Sequence, residues 1–450
     1  MPRVIALLGA LLLCLAVPAR AQDSDIAALT WEALTGSRQD RQDALDSLVG
    51  RGNLDIAPSL ILMMRIGGNH VAVADAFNRL TGEEITTWRD AMLWQQARPE
   101  IMPHPSYYAT KLRWWASIDT RFRDFFAAGE ENRAMRIRFE EITWGGVRVD
   151  GIPALDHPVH VSAAEAGYLL DDDPVFGVEI NGDARAYPLR ILGWHEMVND
   201  VVGDVPVALA YCTLCGAGIV FETSVKEQDE PFIFGSSGLL YRSNKLMFDR
   251  ATNSLWNQFT GEPVGGPLSG SGISLPVRPV TITRWADWRA RHPQSRVLSQ
   301  ETGYVRDYGS GVVYRDYFAS PDLMFPTLVG DESRVARKEF VFGIRAPGGA
   351  RAWPITAFAE EPVINDRVGL GSVVLIGNAA TRTVRAYARD EHTFGAGAEG
   401  TVTGPGGTWA VTESALIGPD GQHLPRVPGH LSYWFAWDGF LGAASTLYPD

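Results

Sequence analysis

Cys212 and Cys215 stand two residues apart in the run Tyr211-Cys-Thr-Leu-Cys-Gly216, and a third cysteine, Cys14, lies far upstream. A Cys-x-x-Cys pair closes almost no loop, so as a disulfide it constrains the unfolded chain very little. Local chemistry is the better reason to have it, and three chemistries suit it. Two thiolates on one side of a tight turn, with glycine permitting the reversal, form a metal-binding knuckle. The metal would be zinc(II) or copper(I), since soft thiolates suit copper(I) and it accepts low coordination numbers. His195 is the leading third ligand, with Glu196, His157 and His160 as candidate fourths. The second chemistry is thiol–disulfide exchange or cysteine catalysis, with His195 lowering a thiol pKa. The third is a static disulfide that locks the turn. A redox pair usually opens a helix, whereas Gly216-Ala-Gly-Ile-Val-Phe221 reads as a strand. Gly216 in the place of a histidine also speaks against covalent haem.

The surrounding segments must hold these residues. Residues 206–211 and 218–222 read as two strands joined through the cysteines. Residues 175–180 and 184–189 flank Asn181-Gly182-Asp183, and Asn-Gly supplies the positive φ angles of a tight hairpin turn. From about Ile137 onward the chain runs in short β-branched and aromatic stretches broken by Gly, Pro, Asn and Asp. Residues 24–98 differ, because Leu45, Leu48, Ile56, Leu60, Met63 and Met64 recur at helical spacing. Leu112, Trp115, Ile118, Phe122 and Phe125 form another helical stripe. Both stripes are expected to be core.

The hairpin sequence occurs twice. Phe176-Gly177 recurs as Phe342-Gly343, and Ala184-Arg-Ala-Tyr-Pro188 recurs as Ala350-Arg-Ala-Trp-Pro354. Asn199-Asp200 recurs as Asn365-Asp366 and Gly203 as Gly369, each pair 166 residues apart. An internal duplication is expected: two β-rich units joined through the Tyr-rich segment 304–318. Features kept in both copies build the fold, and features in one copy are candidates for function. Arg185 and Asp200 persist as Arg351 and Asp366 and read as a paired charge network. Trp194-His195-Glu196 faces Glu360-Glu361-Pro362, and the cysteine turn faces Asn378-Ala-Ala-Thr-Arg382. Only the first copy carries the candidate site.

Composition narrows the function classes. The 450 residues are 46% hydrophobic and 21% charged, too apolar for a disordered protein. With 40 basic against 53 acidic residues the net charge is −13, and no basic tract appears, so no nucleic-acid partner is expected. Residues 1–21 read as a secretory signal: Arg3, an apolar run over residues 4–17, and Ala19-Arg-Ala21 before the cut. Cleavage would leave an exported chain, periplasmic or extracellular, holding only Cys212 and Cys215. No later stretch is long and apolar enough for a membrane span. There is no G-x-S-x-G elbow, no H-E-x-x-H and no dinucleotide or phosphate-cradling loop, so no nucleotide cofactor is expected.

Asp150-Gly-Ile-Pro153, Ala184-Arg-Ala-Tyr-Pro188, Trp194-His-Glu196, Val198-Asn-Asp200 and Tyr211-Cys-Thr-Leu-Cys-Gly216 together resemble the domain-of-unknown-function family numbered 3179. Leu255-Trp256 and Lys338-Glu339 are similar to it as well. The resemblance runs from about Ile137 to the C-terminus and implies an exported protein with this domain, without an established activity. Thr213 departs from the family pattern, which has proline there. The expected architecture is α+β: a signal at 1–21, a helical domain at 22–135, a β-rich repeat at 136–300 carrying the site, and a linker with a second repeat at 301–450. The leading expectation is a soft-metal site at Cys212, Cys215 and His195. A thiol–disulfide oxidoreductase or cysteine-dependent enzyme and a disulfide-locked scaffold are the alternatives, so whether the site catalyses a reaction stays open.

Overall fold

The computed structural model describes residues 19–68, 70–126 and 135–449. Residues 1–18, with Cys14 and most of the expected export signal, lie outside the described residues. The chain forms two compact units, one running up to residue 91 together with 98–114, the other comprising 92–97 and the chain from 115 onward.

The first unit is helical because its sequence supplies both an apolar stripe and the caps. Ser37 accepts a hydrogen bond from the Asp40 N–H while Asp40 accepts one from the Ser37 N–H, a reciprocal cap that starts Arg38–Gly50. Pro58 stands in the first turn of Ala57–Ile66, where its missing N–H leaves no helical bond unmade. Leu45, Leu48, Ile56, Leu60 and Met63 are fully buried, as the stripe requires. The second stripe behaves otherwise. Ser106–Ile118 is a helix, but Thr120–Phe126 continues as a 3-10 turn. Trp115 packs on Phe126 and Phe139 at 5.6 and 5.5 Å, and Phe125 packs on Phe248 at 5.0 Å. These aromatics therefore belong to the β-rich unit, which takes in residues 92–97 and the chain from Trp115 onward.

Among the described residues the second unit forms five sheets. One holds Thr281–Arg284, Pro174–Ile180, Asp183–Pro188, Arg296–Leu298 and His160–Ser162 in that spatial order. The expected hairpin joins Pro174–Ile180 to Asp183–Pro188, with Asn181 and Gly182 at φ +50 and +80. A second sheet orders Val277–Arg278, Ala217–Glu222, Val205–Cys212, Met197–Val202 and Leu155–Asp156. The helix Leu189–His195 connects the two and delivers His195 and Glu196 to the start of Met197–Val202. A third sheet contains Phe234–Tyr241 and Asn244–Asp249 and brings in Lys245. Farther along, Phe340–Ala346 and Gly349–Pro354 form a hairpin, followed by the antiparallel strands Val363–Val368, Gly371–Asn378 and Thr383–Ala388. No helix among the described residues is long and apolar enough to cross a membrane.

Two hairpin glycines are required by what they face. A Cβ on Gly177 would lie 2.2 Å from Trp288 Cε3, and one on Gly343 would lie 1.9 Å from Trp437 Cζ3. Both indoles are fully buried, so neither can swing into solvent. Overpacking of this kind costs about 1–3 kcal/mol and sometimes more. Gly177→Ala and Gly343→Ala are each expected to lower the urea midpoint by a corresponding amount. Two unchanged midpoints in a tryptophan-fluorescence titration would refute the packing argument.

Candidate functional site

The cysteines sit where two antiparallel strands meet. Val205–Cys212 ends at the first cysteine and Ala217–Glu222 begins just after the second. The intervening turn is closed by the Cys215 N–H donating to the Cys212 carbonyl at 3.2 Å. Gly216 finishes the reversal at φ +62, and a Cβ there would also lie 2.6 Å from Phe340 Cε1. The Cys212 and Cys215 Cα atoms are 5.3 Å apart, with the sulfurs at disulfide distance. Both residues are buried, Cys212 to 2% and Cys215 to 0% exposure. The turn is tied down from outside: Tyr317 OH donates to the Leu214 carbonyl, and the Tyr433 N–H donates to the Cys215 carbonyl, each at 2.7 Å.

An internal ion pair stands beside the turn. Glu196 caps the helix Leu189–His195 in the left-handed region, φ +56, with its N–H donating to Leu192 O at 2.7 Å. That geometry turns its carboxylate inward. Thr213 Oγ1 donates to Glu196 Oε1 at 2.7 Å, and Lys245 Nζ lies 3.3 Å from Glu196 Oε2. The Glu196 carbonyl takes a further bond from Lys245 Nζ at 3.3 Å. Burial pushes the Lys245 ammonium below the usual lysine value, and the Glu196 charge works against it. Burial, followed by the Glu196 charge, pushes the Tyr314 phenol up. Cys212, Thr213, Glu196, Lys245 and Tyr314 line one cavity of about 50 Å³.

His195 faces elsewhere. Its Nδ1 is 2.9 Å from the Pro153 carbonyl, which can only accept, so Nδ1 carries the proton. Nε2 then accepts from Tyr308 OH at 2.6 Å, and Tyr308 OH is 2.6 Å from Thr302 Oγ1. Burial lowers the imidazole pKa, which favours this neutral form. Both ring nitrogens are thus committed outside the cysteine turn. Among the described residues no group of three or more His, Cys, Asp or Glu side chains is arranged to hold a metal ion. The structure therefore brings Cys212 and Cys215 together and leaves His195 apart from them. The reason is the left-handed Glu196, which places successive side chains of the Trp194-His195-Glu196 motif in different directions. His160 lies 3.2 Å from Asp200, within the Arg185–Asp200 network that the sequence marks as structural.

Lys245 and Tyr314 were not readable as site residues. Lys245 comes from a strand thirty residues downstream of the turn, in a run, Asn-Lys-Leu-Met-Phe-Asp, that is buried throughout. A lysine inside such a run was the available signal. Thr213 stands out in the sequence only as a departure from proline, yet its hydroxyl is what joins the turn to Glu196.

The fold and site define a class: a helical unit followed by a β-rich unit with a buried cysteine turn against an internal ion pair. The chain belongs to the family described as Protein of unknown function (DUF3179), whose model matches residues 149–444. No curated protein and no solved structure is a significant match to it.

Proposed function

We propose that Cys212 and Cys215 form a thiol–disulfide redox centre in an exported protein. The observation that carries this reading is the buried Glu196–Lys245 pair lining the same cavity as Cys212. A static clasp has no use for two desolvated charges, which are costly to bury. Exchange does, because a sulfur must change charge each time the bond opens or closes. Cys212 lines the cavity beside the ion pair, so it is the sulfur this reading assigns to attack, once the turn opens far enough to admit a dithiol. A donor thiolate attacks Cys212 Sγ, the Cys212–Cys215 bond breaks, and Cys215 leaves as a thiolate. The second donor thiol then attacks its own mixed-disulfide sulfur and releases Cys212. The donor ends as a disulfide and its two protons end on the cysteines. Glu196 and Lys245 hold the charge balance while these protons move.

The leading sequence expectation, a copper(I) or zinc(II) site, draws on the same two sulfurs once they are reduced. Two thiolates suffice only for a low-coordinate soft ion, so copper(I) is the metal this donor set favours. The experiment separates the readings. Free thiols and bound copper and zinc are counted on the exported protein before and after a mild dithiol, beside Cys212→Ser. Two thiols that appear under native conditions and disappear on reoxidation are expected. Stoichiometric metal that vanishes in Cys212→Ser would replace the redox reading with the metal one. A disulfide reduced only on unfolding would make the turn a clasp.

We also infer that the β-rich region is two copies of one unit. Arg185 pairs with Asp200 at 2.9 Å and Arg351 with Asp366 at 2.8 Å. Tyr187 OH and Trp353 Nε1 donate to those same carboxylates at 2.7 and 2.9 Å. The Asn199 side chain exchanges two hydrogen bonds with the Phe234 backbone, and that of Asn365 does so with Phe394. An experimental structure in which residues 174–222 and 340–388 fail to superpose would end this inference.

A further inference from the structure

A second cavity, of about 450 Å³, has Gly216 of the cysteine turn as part of its wall. Its size is that of a pocket for a small organic molecule. Its charge is lopsided. Arg190, Lys338 and Arg382 line it, against the single carboxylate of Asp173. That carboxylate is already engaged, by Arg190 Nη1 at 3.3 Å, Ser310 Oγ at 2.6 Å and the Leu170 N–H at 2.7 Å. Lys338 Nζ is held by the carbonyls of Tyr317 and Ser320, which orient it without neutralising it. Arg382 lies exposed at the mouth, its guanidinium 4.8 Å from the centre of the Phe340 ring.

Two details point to a ligand. The Arg190 side chain is only 9% exposed, yet its Nε is buried without a hydrogen-bond partner among the described residues. A guanidinium N–H in that state is normally satisfied by something. Arg382 adds the second detail. It holds φ +56, a region that favours glycine, and Gly216 occupies the corresponding place at the end of the cysteine turn with φ +62. An arginine there spends backbone strain to set a cation at this mouth. The rest of the wall is apolar, part aliphatic and part aromatic, with the Phe340 and Tyr433 rings 4.4 Å apart and Tyr211 also in the lining.

We propose that this cavity binds a small molecule with an oxyanionic head, carboxylate or phosphate, and a flat apolar body. The head lies between Arg190 and Arg382, whose planar forks match two oxygens of one group. The body lies against Phe340 and Tyr433. The proposal does not rest on the redox reading, since neither cysteine is among the groups it uses.

The test is calorimetric titration of the exported, full-length protein with benzoate, phenyl phosphate and uncharged benzamide. At least one of the two anions is expected to bind, and benzamide is not. Tighter binding of benzoate assigns the head as carboxylate, and tighter binding of phenyl phosphate assigns it as phosphate. Arg382→Ala, at an exposed position where folding is safe, is expected to weaken the bound anion about tenfold, the scale of one lost charge-assisted contact. Arg306→Ala, outside this cavity, is the control and leaves affinity unchanged. Failure of both anions to bind, equal binding of benzamide, or an Arg382→Ala affinity equal to wild type would each overturn the assignment.

Discussion

Glu413→Gln is expected to remove about 3–5 kcal/mol of stability from the β-rich unit. The Glu413 side chain is only 4% exposed and lies 2.6 Å from both Arg385 Nη2 and Arg426 Nη1, with Arg291 Nε at 3.7 Å. Thr281 Oγ1 donates to Glu413 Oε2 at 3.0 Å and itself accepts from Arg426 Nη2 at 2.8 Å. One carboxylate thereby ties Thr281–Arg284 to Thr383–Ala388 and His423–Val427, strands from two different sheets. The amide keeps the shape and removes the charge, which leaves buried guanidiniums facing one another. Burial alone would raise the Glu413 pKa, but Arg385 and Arg426 outweigh it and hold the carboxyl well below the usual range.

That shift fixes a sign. A depressed folded-state pKa contributes stability that is fully present above the unfolded carboxylate value, about 4, and is lost as pH falls through the folded value. Wild type should therefore lose stability on the acid side of pH 4, and Glu413→Gln should lack that component. Urea midpoints from pH 7 down to 3 read both effects. Parallel pH profiles for the two proteins would show that the cluster contributes nothing through its charge.

The legible parts of this protein are the ones whose cause is local. The Asn181-Gly182 turn and the cysteine turn closed by Gly216 each depend on residues within a few positions, so spacing reveals them. The stripe from Leu45 to Met64 was readable because a buried helix face repeats at fixed intervals. What spacing could not reveal was direction. His195 and Glu196 are neighbours, but the left-handed Glu196 sends one side chain to Tyr308 and the other to Lys245. The stripe at Trp115 to Phe125 was correctly core, though its partners Phe139 and Phe248 come from the β-rich unit. Glu413 looked like any surface acid, because Arg385 and Arg426 reach it only through sheet pairing. Charges that meet across sheets leave no periodic trace.

The redox reading makes its sharpest claim at Glu196 and Lys245, where two substitutions should act in opposite directions. Lys245→Met leaves the Glu196 carboxylate as the uncompensated charge of the cavity, which disfavours a thiolate on Cys212. Glu196→Gln leaves the ammonium, which favours it. For charges that line the same buried cavity as Cys212 the shifts should be on the order of one to two pKa units each way. A favoured thiolate stabilises the reduced form, so Glu196→Gln should make the couple more oxidising and Lys245→Met less so. Each single change should also cost about 3–5 kcal/mol, because it strands a buried charge. Lys245→Met with Glu196→Gln together should recover much of that stability and return the thiol pKa toward wild type. Thiolate absorbance against pH, with equilibration against a dithiol buffer, measures both quantities on the same four proteins. Shifts of the same sign in the two single variants would mean that they act by loosening the fold. Absent shifts would mean that the ion pair does not sense Cys212. Opposite shifts that cancel in the double variant are the outcome that a structural clasp has no means of producing.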